Sequence, residues 1–76
     1  MRYANGTMFV GRIQRPVFIC AKTFKRMIEL LSPFYITKSR FDEYWSKTCS
    51  DDMKRIAQDN EGIWTDVGVG WEELKK

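Results

Sequence analysis

Histidine is missing from this chain of 76 residues, and with it goes the side chain whose ordinary pKa lies near neutrality. Most general-base and triad arrangements depend on an imidazole. Any chemistry would therefore rest on carboxylate, lysine or thiol groups, in a domain with little room for a pocket. Cysteine is scarce as well. Cys20 and Cys49 are far apart in sequence with no C-x-x-C spacing, and a structural zinc site needs about four Cys or His ligands, so none is expected. Long apolar runs are also absent. The longest, Val17-Phe18-Ile19-Cys20-Ala21, is far too short to span a bilayer, and no basic-then-apolar segment resembles a signal peptide. The expected location is the cytoplasm, with no membrane partner. There, two isolated cysteines stay reduced, Cys20 as a small buried hydrophobe.

Phosphate loops and carboxylate pairs are no better represented. Gly68-x-Gly70 is too short to cradle a phosphate, which would need a flanking strand, helix and lysine. Asp42/Glu43, Asp51/Asp52 and Glu72/Glu73 are adjacent pairs, and adjacent helical residues point about 100° apart, so they do not converge on one ion. No catalytic residue, metal or cofactor is expected, and the chain does not read as an enzyme.

What is present is a charge split. Residues 1 to 41 sum to +7 with Glu29 as their only acid, and residues 42 to 76 sum to −4. The net +3 hides a dipolar molecule whose surfaces suit partners of opposite kinds. Hydrophobic residues at 43% and aromatics at 14% supply a core for one domain over residues 1 to 76, and disorder is disfavoured.

Patterning predicts an extended first segment. Asn5-Gly6 is the strongest hairpin-turn signal, Thr7 to Ile13 reads as a strand, and Gln14-Arg15-Pro16 breaks it. Val17 to Ala21 reads as a second strand, giving an antiparallel hairpin over 7 to 21. Phe24, Met27, Ile28 and Leu31 form a helical stripe capped by Thr23, ended at Ser32-Pro33 because the residue before proline avoids the helical region. Phe41, Tyr44, Trp45 and Thr48 form a second stripe, capped by Thr37 or Ser39. Ser50 opens a third helix, with Asp51 and Asp52 complementing its dipole and Met53, Ile56 and Ala57 inward. Asn60 or Gly62 suits its end. Ile63 to Val67 alternates as a strand, and Trp71 to Lys76 reads as a polar tail, helical or frayed. The expected fold is α+β: a small antiparallel sheet of about three strands with three short helices on one face, in the order β-β-α-α-α-β.

Two constellations point to binding. Lys22, Lys25 and Arg26 crowd one face of the first helix, and Lys38 and Arg40 open the second. Such a helix pair over residues 23 to 48 resembles a helix-turn-helix unit. It departs from that pattern in its longer, apolar connection and in Asp42 and Glu43, where a recognition helix needs donors. Each lysine also reads as part of an ordinary solvated face. Among the aromatics, Tyr44 and Trp45 read as core. Trp64 is expected at the surface or an interface if Ile63 and Val67 face inward, and Trp71 could be a second exposed anchor.

The stretch Ala21-Lys22-Thr23 through Ile28-Glu29-Leu30-Leu31, with Tyr44-Trp45-Ser46-Lys47-Thr48, resembles small accessory proteins of bacteriophages and other mobile elements. That resemblance implies a non-enzymatic protein that binds and blocks a host factor or a defence complex such as a CRISPR effector. It would act in the host cytoplasm, through an acidic or nucleic-acid-loaded surface of the partner. Arg12, Arg15, Lys22, Lys25 and Arg26 would meet that surface, and the acidic half with Trp64 or Trp71 would supply a second one. The same group includes DNA-binding regulators, which keeps nucleic acid as the alternative partner.

Overall fold

The structure, a computed structural model, describes residues 1–74. Two nine-residue strands, β1 (Arg2–Val10) and β2 (Ile13–Ala21), form an antiparallel hairpin in which Val10 faces Ile13. Its turn is Gly11-Arg12, not Asn5-Gly6. Gly11 takes φ +68°, as a two-residue hairpin with glycine first requires. Asn5-Gly6 lies inside β1 because long-range contacts hold it straight. The Asn5 backbone exchanges two 2.8 Å hydrogen bonds with Ser46, and its side chain donates to the Thr48 carbonyl. Gly6 admits the Trp45 ring, which a Cβ would meet at 2.5 Å.

Gln14-Arg15-Pro16 does not break the chain; it forms the first half of β2. Since the Asn5 backbone points at Ser46, alternation places Asn5–Phe18 and Thr7–Pro16 among the pairs that do not bond each other. The edge of Pro16 that lacks an N–H therefore faces away from β1, toward β3 (Gly62–Asp66). There β2–β3 pairing begins only at Val17 opposite Thr65, the kind of ladder end where proline is tolerated. The Arg15 Nη1 donates to the Asp66 carbonyl at 3.2 Å, serving the acceptor that Pro16 cannot.

The predicted α+β class with an antiparallel sheet is observed, but the sheet has four strands, ordered β1-β2-β3-β4. Residues 71–74, expected as a tail, form the edge strand β4 (Trp71–Leu74) against β3; the rest of that expected tail, Lys75 and Lys76, lies outside the described residues. Between β2 and β3 run α1 (Phe24–Leu31), α2 (Lys38–Tyr44) and α3 (Asp51–Ala57). Thr23, Thr37 and Ser50 cap them, each accepting the backbone N–H three residues on. Ser32 stays helical ahead of Pro33. The chain tightens into a 3-10 turn over Ser32–Phe34 with proline in its first turn, where no N–H is needed, and Tyr35 closes it at φ +63°. α2 stops at Tyr44 and Trp45 is extended, so Thr48 leaves the stripe. Gln58, in the left-handed region, ends α3 in place of Asn60 or Gly62.

Helices cover both faces of the sheet, not one. On one face Met27 and Leu31 of α1, with Phe41 and Trp45, pack on Ala4, Met8, Val17, Ile19 and Ile63. On the other, Ala57 and Met53 of α3 pack with Phe18, Cys20 and Trp64. This second layer buries Trp64 to 7% exposure and corrects its assignment as a surface anchor. Trp71 is half-buried, edge-on to Phe18 at 4.9 Å. Both cysteines are free thiols. Tyr3 donates to Asp59 at 2.6 Å across this layer, and that bond, with burial, raises its phenol well above the ordinary value.

Candidate protein-binding surface

The basic residues do not converge. Arg12 sits in the hairpin turn and Lys22 just past the far end of β2, and ten residues of extended chain rise on the order of 30 Å. At the Lys22 end, Glu61 draws the charges together: its carboxylate accepts the Lys22 N–H at 3.0 Å and the Arg26 Nε at 3.3 Å. Those bonds, the backbone one first, hold its pKa below the ordinary range. Arg26 also reaches Glu29 at 4.0 Å. Arg15 is engaged with Asp66, and Lys38 is bound to Asp42 at 2.8 Å. That bond raises Lys38 and lowers Asp42. Of the sequence-predicted cations, Arg12, Lys22, Lys25 and Arg40 are exposed and their side chains enter no ion pair among the described residues.

Two concavities lie on the α1/α2 side. The smaller, about 450 Å³, has an apolar floor of Phe24, Ile28 and Phe41 and a rim including Lys25, Lys38 and Lys47. Lys47 sits 5.2 Å from the Phe24 ring and 3.5 Å from Asp42, so its charge is already served by a π face and a carboxylate.

The larger, an open groove of about 880 Å³, runs along the outer edge of β1. Thr7, Phe9 and Gly11 line one side, and Tyr35, Arg40 and Tyr44 stand among the residues of the other. Three of the residues lining it expose large side chains: Phe9 is 67% exposed, Tyr35 85% and Tyr44 71%; Ile13, also exposed, pairs with Val10 and so lies on the opposite sheet face from Phe9. Phe9 and Ile13, expected within a strand, are exposed, and so is Tyr44, expected in the core. The helical stripe put Tyr44 beside Phe41 and Trp45, but α2 is too short to bury all three against the sheet. An alternation Asn5-x-Thr7-x-Phe9 was the available signal, masked by reading Asn5-Gly6 as a turn.

Among the described residues no group of three or more His, Cys, Asp or Glu is placed to hold a metal ion, and no helix is long and apolar enough to cross a membrane. No family model, curated protein or solved structure matches the chain.

Proposed function

We propose that this protein is a non-enzymatic binding module whose partner is another protein. The observation that carries this reading is that Phe9, Tyr35 and Tyr44, all largely exposed, line one groove. Scattered exposed hydrophobics need no explanation, but a contiguous aromatic patch beside an open groove is the composition of a protein interface. Arg40 in the groove wall, with Arg12 next in the chain to the lining Gly11, adds positive charge that steers an acidic partner. The resemblance of residues 21–31 and 44–48 to phage accessory proteins supports a host or defence protein, such as a CRISPR effector, as the class of partner, met in the host cytoplasm.

The alternative, a DNA-binding regulator using residues 23–48, draws less support. Arg26 and Lys38 are spent on Glu61, Glu29 and Asp42, and the exposed positions of α2 include Asp42, Glu43 and Tyr44. The two readings separate in one experiment: a pull-down from bacterial lysate beside a duplex DNA titration at two salt concentrations. Protein binding predicts a partner retained at moderate salt and lost with Phe9→Ala or Tyr44→Ala, and only weak, steeply salt-dependent DNA affinity. Tight DNA binding with sequence preference and no retained protein would overturn it.

A further inference from the structure

We propose that the outer edge of β1 at Thr7 and Phe9 is a strand-addition site that takes an extended, acidic segment of another protein. This rests on the protein-binding reading above and names the form and charge of what binds. The geometry begins at Asn5. Its N–H and C=O both point outward to Ser46, and strand period two turns the backbone groups of Thr7 and Phe9 the same way. The Ser46 bridge is isolated. Beyond it, the lane beside β1 is the open groove. A guest strand there would exchange hydrogen bonds with Thr7 and Phe9 and set alternate side chains against Tyr44 and the ring of Phe9, which is how peptides add to a sheet edge.

The edge is also unguarded. Sheet edges are ordinarily protected by charge, proline or a bulge. The opposite edge strand, β4, carries Glu72 and Glu73, whereas residues 3 to 10 of β1 carry no charge at all. Charge complementarity selects the guest. Arg40 lines the lane and Arg12 follows the lining Gly11 in the chain, neither in an ion pair among the described residues, and Glu43 is the single acid in the lining, so an acidic segment is favoured over a basic one.

A second copy of this chain fits poorly. Two-fold pairing of β1 with itself that sets Thr7 opposite Phe9 also sets Asn5 opposite Gly11. Each Gly11-Arg12 turn would then enter the lane that Ser46 of the other copy already fills. Pairing β1 with β4 of another copy is head-to-tail and would build a ring or a filament rather than a two-fold dimer, which self-association would reveal.

The probe is a capped synthetic peptide alternating valine with glutamate, beside a valine–lysine counterpart and a copy of the acidic peptide N-methylated on alternate residues. Amide exchange followed by NMR should show the acidic peptide slowing exchange at Thr7 and Phe9 but not at Met8. The lysine peptide and the N-methylated peptide should give no such protection. Thr7→Pro removes an outward N–H without deleting a bond to β2 and should abolish binding, with the melting curve checking the fold. Should that variant not fold, the N-methylated peptide asks the same question of the unaltered protein. Arg40→Glu should invert the preference toward the lysine peptide. Equal protection by all three peptides, no protection by the acidic one at millimolar concentration, or concentration-dependent self-association through β1 overturns the proposal. A lysate partner that stays bound to folded Thr7→Pro overturns edge pairing while leaving protein binding intact; no retained protein for the unaltered chain overturns both.

Discussion

The rings of Phe18 and Trp64 stack across the β2–β3 pair with centroids 5.1 Å apart and planes within 10°. They occupy the sheet face covered by α3, with Trp71 edge-on to Phe18. This makes Trp64 a pillar of the second layer. Trp64→Ala should cost roughly 3–5 kcal/mol, a large share of what a domain this small holds. Chemical denaturation would show a largely unfolded variant. An unchanged midpoint with loss of a binding partner instead would return Trp64 to the surface.

Arg15 and Pro16 should be energetically coupled. The guanidinium serves the Asp66 carbonyl because Pro16 has no N–H to offer. Arg15→Ala should therefore lower stability by about 1 kcal/mol. In a Pro16→Ala background, where a backbone N–H can reach that carbonyl, the same change should cost less. A double-mutant cycle by urea denaturation reads the difference; additive costs would mean that Arg15 acts elsewhere.

Gly6 and Trp45 should behave as one contact. A Cβ at Gly6 would fall 2.5 Å from the Trp45 ring, so Gly6→Ala should destabilise by about 1–3 kcal/mol through overpacking. Trp45→Ala removes a buried ring and should cost roughly 3–5 kcal/mol. In the double variant the alanine at position 6 meets no ring, so its added cost should fall close to zero. A thermal melt of all four proteins decides it.

These contacts also explain which parts of the fold were legible. Helix starts were, because a cap is a local event: Thr23 and Ser50 bond the N–H three residues on. The hairpin was misplaced because Asn5-Gly6, a turn pair by local preference, is kept extended by Ser46 and Trp45, some forty positions away. β4 was missed because Trp71-Glu72-Glu73-Leu74 shows no alternation of apolar and polar residues. The inward side of Trp64 could not be read from strand period alone, since period two says which residues share a face and not whether a helix covers the other. The groove was illegible because it combines a long-range effect on β1 with the end of α2. It exists because β1 runs on past Asn5 and α2 leaves Tyr44 outside.

Both thiols should be slow to react in the folded protein. Burial pushes Cys49 up to about 11 and raises Cys20 as well, so at neutral pH little thiolate exists to attack an alkylating agent. Cys49 Sγ also donates to the Ala4 carbonyl at 3.3 Å. Native labelling near pH 7 should leave both residues unmodified while denatured protein reacts fully, and Cys49 should accelerate as pH rises toward its pKa. Mass spectrometry without reductant should show no intramolecular disulfide. Rapid native labelling of Cys49 would mean that this segment opens from β1.

Glu61 should shape the acid limb of the stability curve. Its pKa is depressed in the folded chain, first by the Lys22 N–H and then by Arg26. A group depressed on folding stabilises fully above its unfolded pKa and loses that contribution as pH falls through the folded value, because the unfolded state binds the proton first. Tm should therefore fall on acidification from the ordinary glutamate range downward. Glu61→Gln keeps an acceptor for the Lys22 N–H but has no proton to take up. The variant should melt below the parent at neutral pH, and the gap should close as the pH drops. Added salt should narrow the gap only in part, since the Arg26 attraction is screened while the backbone bond is not. Acid limbs that run parallel for the two proteins would show that Glu61 titrates alike folded and unfolded.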